Sequence, residues 1–270
     1  DIIDKMVQGN AKVIYSLDPY QLAPVGFDEP YVNTMGFPSA ELTEPMRQDK
    51  DSFLSRTCDI LREAVKEGIY SPMVQGEGIR FVDGKTFQEE YVKAFQNQEN
   101  TRIISYKNTQ VEAHNKYVRK HLHGITDFRV GDLVVAANAV EGKVKIEQTY
   151  TIYSISDIIP APIPYRLVGI GLEQDFKIPV DKPAYFSSIK RAAAEAKSSG
   201  DWKLYFQLKN TYLDIRDAFA CTTHKSQGST YDKVFVDFHD LCKCKDLNQF
   251  LRMLYVSVSR ARQEVIVYGL

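Results

Sequence analysis

Ala218-Phe-Ala-Cys-Thr-Thr-His-Lys-Ser-Gln-Gly-Ser-Thr-Tyr-Asp-Lys-Val-Phe-Val-Asp237 is the stretch that decides how the chain is read. The apolar run from Ala218 to Cys221 has the character of a buried strand, and so does Val234 to Val236. Between them lies a polar loop, residues 222–230, with four hydroxyl residues beyond Thr222, one His, one Lys, one Gln and Gly228. A loop at the carboxyl end of a buried strand is where open α/β sheets bind ligands. Hydroxyls, a lysine and backbone N–H groups beside a glycine suit phosphate oxygens, of a nucleotide or of a nucleic-acid backbone. Taken alone, such a loop is more often an ordinary polar surface connection.

Working outward, the same geometry recurs near the start of the chain. Lys12-Val-Ile-Tyr-Ser16 is expected to be a short buried strand, running into the polar turn Leu17-Asp-Pro-Tyr-Gln-Leu-Ala-Pro-Val25. Residues 26–40, rich in Gly and Pro, form a connector. Asp49 or Asp51 is expected to cap a helix with Phe53, Leu54, Ile60, Leu61, Ala64 and Val65 inward. Strand–helix alternation continues with Ile79–Val82, Thr86–Phe95, Thr101–Ser105 and Gln110–Leu122, which argues a parallel sheet. From Phe128 to Phe176 the period changes to short β-rich runs at 132–136, 150–154 and 166–170, separated by Gly and Pro, as in a small antiparallel barrel. Residues 187–213 are helical in two pieces broken at Ser198-Ser-Gly200. Trp202, Tyr205, Phe206, Leu208 and Tyr212 give the second piece an aromatic side, expected to pack on the barrel. Leu247 to Ser259 is apolar at helical spacing, and Glu264 to Tyr268 closes as a strand.

Composition sets bounds. With 44% apolar and 26% charged residues in 270, the chain can build a core, and no apolar run reaches the roughly 18 residues of a membrane-crossing helix. Its net charge of −1 means that any nucleic-acid binding must come from a local groove. Cys242-Lys-Cys244 resembles half a metal site, but no second pair exists, so no metal ligands are assigned; the four cysteines are expected to be reduced thiols.

Four motifs and one weaker stretch can now be compared with a known family. Thr-x-His-Lys-Ser-Gln-Gly-Ser-Thr over 222–230 resembles motif V of superfamily 1 helicases, the branch that includes the Dda and RecD enzymes. Residues 17–25 resemble motif III, with Leu17 where the family has Gly, and Leu42-Thr-Glu-Pro-Met-Arg-Gln48 resembles motif IV. Met253-Leu-Tyr-Val-Ser-Val-Ser-Arg-Ala-Arg262 resembles motif VI, and Ile103-Ile-Ser-Tyr-Lys-Asn-Thr109 a strand–loop–helix of the second domain. The resemblance implies ATP with Mg2+ as cofactors. Asp18, Gln21, Arg47, Gly228 and Arg260 then face the nucleotide, with Gln21 sensing and Arg47 liganding the γ-phosphate and Arg260 as arginine finger. It implies single-stranded DNA held by Asn108, Thr109, Thr223, His224, Gln227 and Ser229, with a duplex junction and a replication or single-strand-binding protein as further partners. The implied setting is the cytoplasm of a bacterial or phage-infected cell, with no membrane partner.

The fold class expected is α/β: a RecA-like parallel sheet of the P-loop NTPase helicase kind, with an inserted small barrel resembling a Src-homology-3 domain and a helical arm. Residues 1–38 are expected to be the end of a first RecA-like domain, 39–127 with 214–270 a second, and 128–213 the insertion. A helicase of this kind needs GxxxxGK[ST] and an Asp-Glu at a strand end. Gly84-Lys85-Thr86 does not qualify, since Ile79 stands where the first glycine belongs, and Asp28-Glu29 follows no apolar strand. The expectation is a chain lacking most of the first RecA-like domain, and inactive as an ATPase alone. The intact protein is expected to be an ATP-dependent DNA helicase, 5′-to-3′ by resemblance. The alternatives are a non-catalytic helicase-like module that binds DNA or a replication or recombination protein, and a viral-type RNA helicase.

Overall fold

In the computed structural model the described residues are 12, 14–23, 36–41, 47–125, 127–138, 144–145, 148–171 and 174–270. The elements follow the alternation of period: β1 (Ile79–Val82), β2 (Thr101–Ser105), β9 (Tyr231–Asp237) and β10 (Ala261–Tyr268) are interleaved with α1 (Phe53–Glu67), α2 (Gly84–Gln96), α3 (Asn108–His123) and α8 (Leu247–Ser259). With β8 (Ala220–Thr222) they form a five-stranded sheet of order β1-β10-β9-β2-β8, in which the β1–β10, β10–β9 and β9–β2 pairs are parallel. Val234, Phe235, Val236, Val265, Ile266 and Val267 are wholly buried, because strands covered by helices on both faces carry continuous apolar runs. The α/β parallel sheet is as expected.

Chain packing separates residues 1–110 with 222–270 from residues 111–221. The second unit carries an antiparallel sheet, β6-β5-β4-β3-β7, built from β3 (Leu133–Ala136), β4 (Thr149–Ile155), β5 (Tyr165–Ile170), β6 (Gln174–Pro179) and β7 (Ile215–Asp217). A single parallel bridge, Lys177 with Tyr212, returns the segment before β7 to β6. Its core gathers Val134, Ile152, Val168, Ile170, Phe176, Leu213 and Ile215. Two further helices, α4 (Lys182–Ser199) and α5 (Lys203–Thr211), are broken where expected: Gly200 adopts φ 80°, the left-handed cap that glycine takes without strain. The short helices α6 (Thr223–Ser226) and α7 (Phe238–Leu241) complete the described elements.

Several expectations are corrected. Ser52, not Asp49 or Asp51, caps α1: it has the extended backbone a cap needs, and its hydroxyl accepts from Ser55 N at 3.0 Å. Ile60 is exposed, because the buried face of α1 runs through Leu54, Cys58, Leu61, Ala64 and Val65, and Ile60 falls beside it. Lys12, Ile14, Tyr15 and Ser16 are exposed and belong to no strand; Tyr15 stacks on Phe37, but no described strand hydrogen-bonds alongside them, and an unpaired segment has no ladder. Most of residues 1–38, and the motif residues 24–25 and 42–46, lie outside the described residues.

The aromatic side around α5 is corrected in part: Tyr212 is buried and meets Tyr165 of β5 at 6.1 Å between centroids, as expected, but the rings before it do not pack on the barrel. Trp202, Leu204 and Phe206 are 38%, 50% and 54% exposed, and no α5 residue is buried. The rings pack on one another instead, Trp202 against Tyr205 at 5.3 Å and Tyr205 against Phe206 at 5.2 Å between centroids. Trp202 is the only tryptophan of the chain. Native fluorescence is therefore expected at the long-wavelength position of a wet indole and open to acrylamide quenching; a blue-shifted, quencher-protected band contradicts this placement.

Candidate functional site

The site is assembled on α8. Asp246 caps its start, accepting from Gln249 N at 2.8 Å, and the apolar positions Leu251, Met253, Leu254, Val256 and Val258 bury the helix. As the crossover between parallel neighbours β9 and β10, α8 runs back to the amino ends of those strands. Its last turn therefore delivers Arg260 beside the start of β9, where Tyr231 N donates to Arg260 O at 3.0 Å.

Arg260 is 2% exposed. Its Nε donates to Val256 O at 3.2 Å, one Nη to Ser229 O at 3.4 Å, and the other to Ser259 Oγ at 3.0 Å. Arg47 grips the same neighbours: its Nε donates to Thr230 Oγ1 at 3.0 Å and an Nη to Ser259 O at 2.6 Å. Gln48 anchors the segment, donating to Ala261 O at 2.6 Å. Among the described residues no carboxylate forms an ion pair with either arginine. Burial, then repulsion from Arg47, lowers the Arg260 guanidinium to about 10; Arg47 is lowered too, first by burial. Cys58, on α1, lies within the field of both arginines, yet burial pushes its thiol up to about 12, so it supplies no counter-charge. The Asp18 carboxylate attracts Arg260, but less than burial and Arg47 oppose its charge, so two cations held by neutral acceptors form a site that a further anion stabilises.

The Asp18–Leu22 turn docks on the same helix. The Asp18 carboxylate accepts from Tyr20 N at 2.9 Å, from the Gln21 amide at 2.9 Å, and from Tyr255 OH at 3.2 Å. Arg252 donates to the carbonyls of Pro19 and Gln21. Gln227 Nε2 reaches Leu22 O at 3.2 Å, so the loop and the turn are joined directly. Asp18, Gln21, Arg47, Gly228 and Arg260 are thus on the segments gathered around the end of α8. The Gln21 amide is spent on Asp18, and Gly228 is exposed with φ 80° and open space about its Cα.

The loop after β8 does more than sit at a strand's carboxyl end. It starts beside the end of β2, where Thr223 Oγ1 donates to Ser105 O at 3.4 Å, and finishes at the amino end of β9, beside Arg260. Thr223 is fully buried and also meets Ser257 Oγ at 3.3 Å, so its hydroxyl is turned inward; His224, Gln227 and Ser229 are half-buried. Asn108 and Thr109 open α3 at the carboxyl end of β2 and are exposed. The predicted nucleotide residues and part of the predicted DNA residues therefore occupy opposite ends of the strands, bridged by one loop. Tyr255, Arg252, Thr230 and Ser257 were not singled out by sequence. Tyr255 falls in the apolar stripe of α8, and only its hydroxyl at Asp18 gives it a role here.

Burial lowers the His224 pKa below its ordinary 6.5. Between that lowered value and 6.5 the unfolded chain binds more protons, so stability is full above about pH 6.5 and falls as pH drops below it. His123 is lowered as well, first by burial, and adds a slope of the same sign. In urea unfolding at pH 7.5 and 5.5, His224→Gln is expected to lose less stability on acidification than the parent; an equal loss contradicts the burial account.

Residues 217–268 match the UvrD-like helicase C-terminal domain. An uncharacterized protein of Acanthamoeba polyphaga mimivirus is 22% identical, over 94% of this chain and 68% of that protein. The ATP-dependent DNA helicase dda of Enterobacteria phage T4 is also 22% identical, over 95% of this chain and 67% of the enzyme. A crystal structure of Pif1 helicase from Candida albicans superposes with TM-score 0.44 at 14% identity, over 84% of this chain and 55% of that one. The domain match and the similarity to the T4 enzyme support a superfamily 1 helicase. The chain spans about two thirds of the length of these two curated relatives.

Proposed function

We propose that the chain is the part of an ATP-dependent DNA helicase that closes on the phosphates of ATP and holds single-stranded DNA. The observation that carries this reading is the Arg47–Arg260 pair: two cations fixed on Ser229, Thr230 and Ser259, with no carboxylate partner among the described residues. An ATP γ-phosphate brings the missing negative charge, and Arg260 acts as the arginine finger as charge develops on the transferring group. Gln21, tied through Asp18 to Tyr255, reports phosphate occupancy to α8. The donor set fits a triphosphate. Among the described residues no group of three His, Cys, Asp or Glu could hold a metal ion, and the residues assigned here are phosphate ligands.

Asn108, Thr109, Thr223, His224, Gln227 and Ser229 hold the DNA backbone, the buried Thr223 by fixing the loop. Because that loop spans from the end of β2 to Arg260, phosphate occupancy at one end alters the DNA grip at the other, giving stepwise translocation, 5′-to-3′ in this branch. The insertion within 128–213 is a Src-homology-3-like barrel with a helical arm. The chain by itself does not turn over ATP. The test is ATP turnover by the intact protein with single-stranded DNA or with RNA. Stimulation by DNA supports the reading, preference for RNA favours a viral-type RNA helicase, and no turnover favours a non-catalytic module. DNA-stimulated turnover by residues 1–270, abolished by Arg260→Ala, overturns the inactivity of the chain alone.

A further inference from the structure

Asp240 lies in α7, just past the carboxyl end of β9, and is 1% exposed. Because β9 and β2 are parallel neighbours, residues leaving β9 stand beside residues leaving β2. One carboxylate oxygen of Asp240 accepts from both Tyr106 N, at 2.9 Å, and Lys107 N, at 2.8 Å. The other meets Lys243 Nζ at 3.2 Å, and Asp240 N donates to Asp237 Oδ1 at 3.0 Å. Tyr106 and Lys107 are the whole connection between β2 and α3, so both of its amides are held by one side chain.

We infer that Asp240 is a positioning residue for DNA binding: its carboxylate fixes the Tyr106–Lys107 connection so that Asn108 and Thr109 meet a DNA phosphate in one orientation. This rests on the proposed DNA reading of Asn108 and Thr109. The first N–H groups of an α-helix lack intrahelical partners; at α3 these belong to Asn108 and Thr109. The helix dipole favours an anion there. Lys107, the residue before the helix, has no side-chain acceptor with which to cap it. Asp240 does the holding from α7, past the end of the neighbouring strand, and by engaging the Tyr106 and Lys107 amides it leaves the following ones for the phosphate. From the other side, Ser105 O is tied to Thr223, the first residue of α6, so the connection and the loop after β8 are set in one frame.

The test is a pair of titrations on the 270-residue chain and its Asp240→Asn variant, with oligo-deoxythymidine and with inorganic tripolyphosphate. Asn keeps the shape and one acceptor oxygen but loses the charge, so both amides meet a weaker, neutral acceptor and the pairing with Lys243 is lost. Oligonucleotide affinity is expected to fall by about tenfold, the scale of one charge-assisted hydrogen bond, with tripolyphosphate affinity unchanged. A purely structural role moves both affinities together, or neither, and either result overturns the inference. If Asp240→Asn does not fold, Asp240→Ser, which retains an acceptor oxygen, carries the same comparison. A parent chain that binds no oligonucleotide refutes the DNA reading itself; a parent that binds, with a variant that binds equally, refutes only the role of Asp240.

Discussion

On the proposed function, Arg260→Ala is expected to lower DNA-stimulated ATP turnover by about 10³–10⁵-fold, the range for removing an arginine finger in related phosphoryl-transfer systems. The effect comes from the transition state and not from the fold. Among the described residues Arg260 hydrogen-bonds to the neutral groups Val256 O, Ser229 O and Ser259 Oγ, and Arg47 repels it more than Asp18 attracts it. Deleting it removes a buried charge along with three hydrogen bonds, so melting is expected to change far less than turnover. Arg260→Lys is not expected to rescue, since an ammonium cannot keep Val256, Ser229 and Ser259 while also forking onto a phosphate. A loss of turnover matched by a loss of folded protein contradicts the catalytic assignment.

Asp132→Ala is expected to destabilise the 111–221 unit by about 1–3 kcal/mol, the cost of leaving buried hydrogen-bonding groups of Arg119 unsatisfied while Asp217 keeps its charge paired. Arg119, 2% exposed, donates to Asp132 at 2.7 Å, to Asp127 O at 3.1 Å, and through two nitrogens to Asp217; its guanidinium also lies 4.9 Å from the centre of the Phe128 ring. These bonds tie α3 to β3 and β7. Burial raises the Asp217 carboxyl and Arg119 offsets this only in part, so the cluster sits near the balance of desolvation against pairing. Urea unfolding of the chain checks the size of the effect. Replacing Arg119, Asp132 and Asp217 together by apolar residues is expected to cost much less than Asp132→Ala alone. A loss below about 1 kcal/mol for Asp132→Ala, the range of exposed pairs, contradicts the buried-triad account.

Periodicity carried much of the fold. The strands at 79–82 and 101–105 and the helix at 247–259 lie where apolar spacing puts them, because each buries one face against a neighbour close in the sheet. It failed where a local pattern needs a partner. Lys12 to Ser16 has strand composition but no described strand beside it, and Trp202 to Phe206 has an apolar stripe whose rings meet one another and solvent. The arginines were legible as motif residues, yet their sharing of Ser259 was not, since Arg47 and Arg260 are brought together only when α8 returns across the sheet. Asp240 was invisible for the same reason: nothing near residue 240 in the sequence shows that residues 106 and 107 end the neighbouring strand.

The central claim is that Arg47 and Arg260 form one phosphate site. Calorimetric titration of the chain with inorganic tripolyphosphate tests it most directly. The account predicts saturable binding that is abolished in the Arg47→Ala, Arg260→Ala double variant and weakened in each single one. Equal binding by the parent and the double variant, or none by the parent, contradicts it.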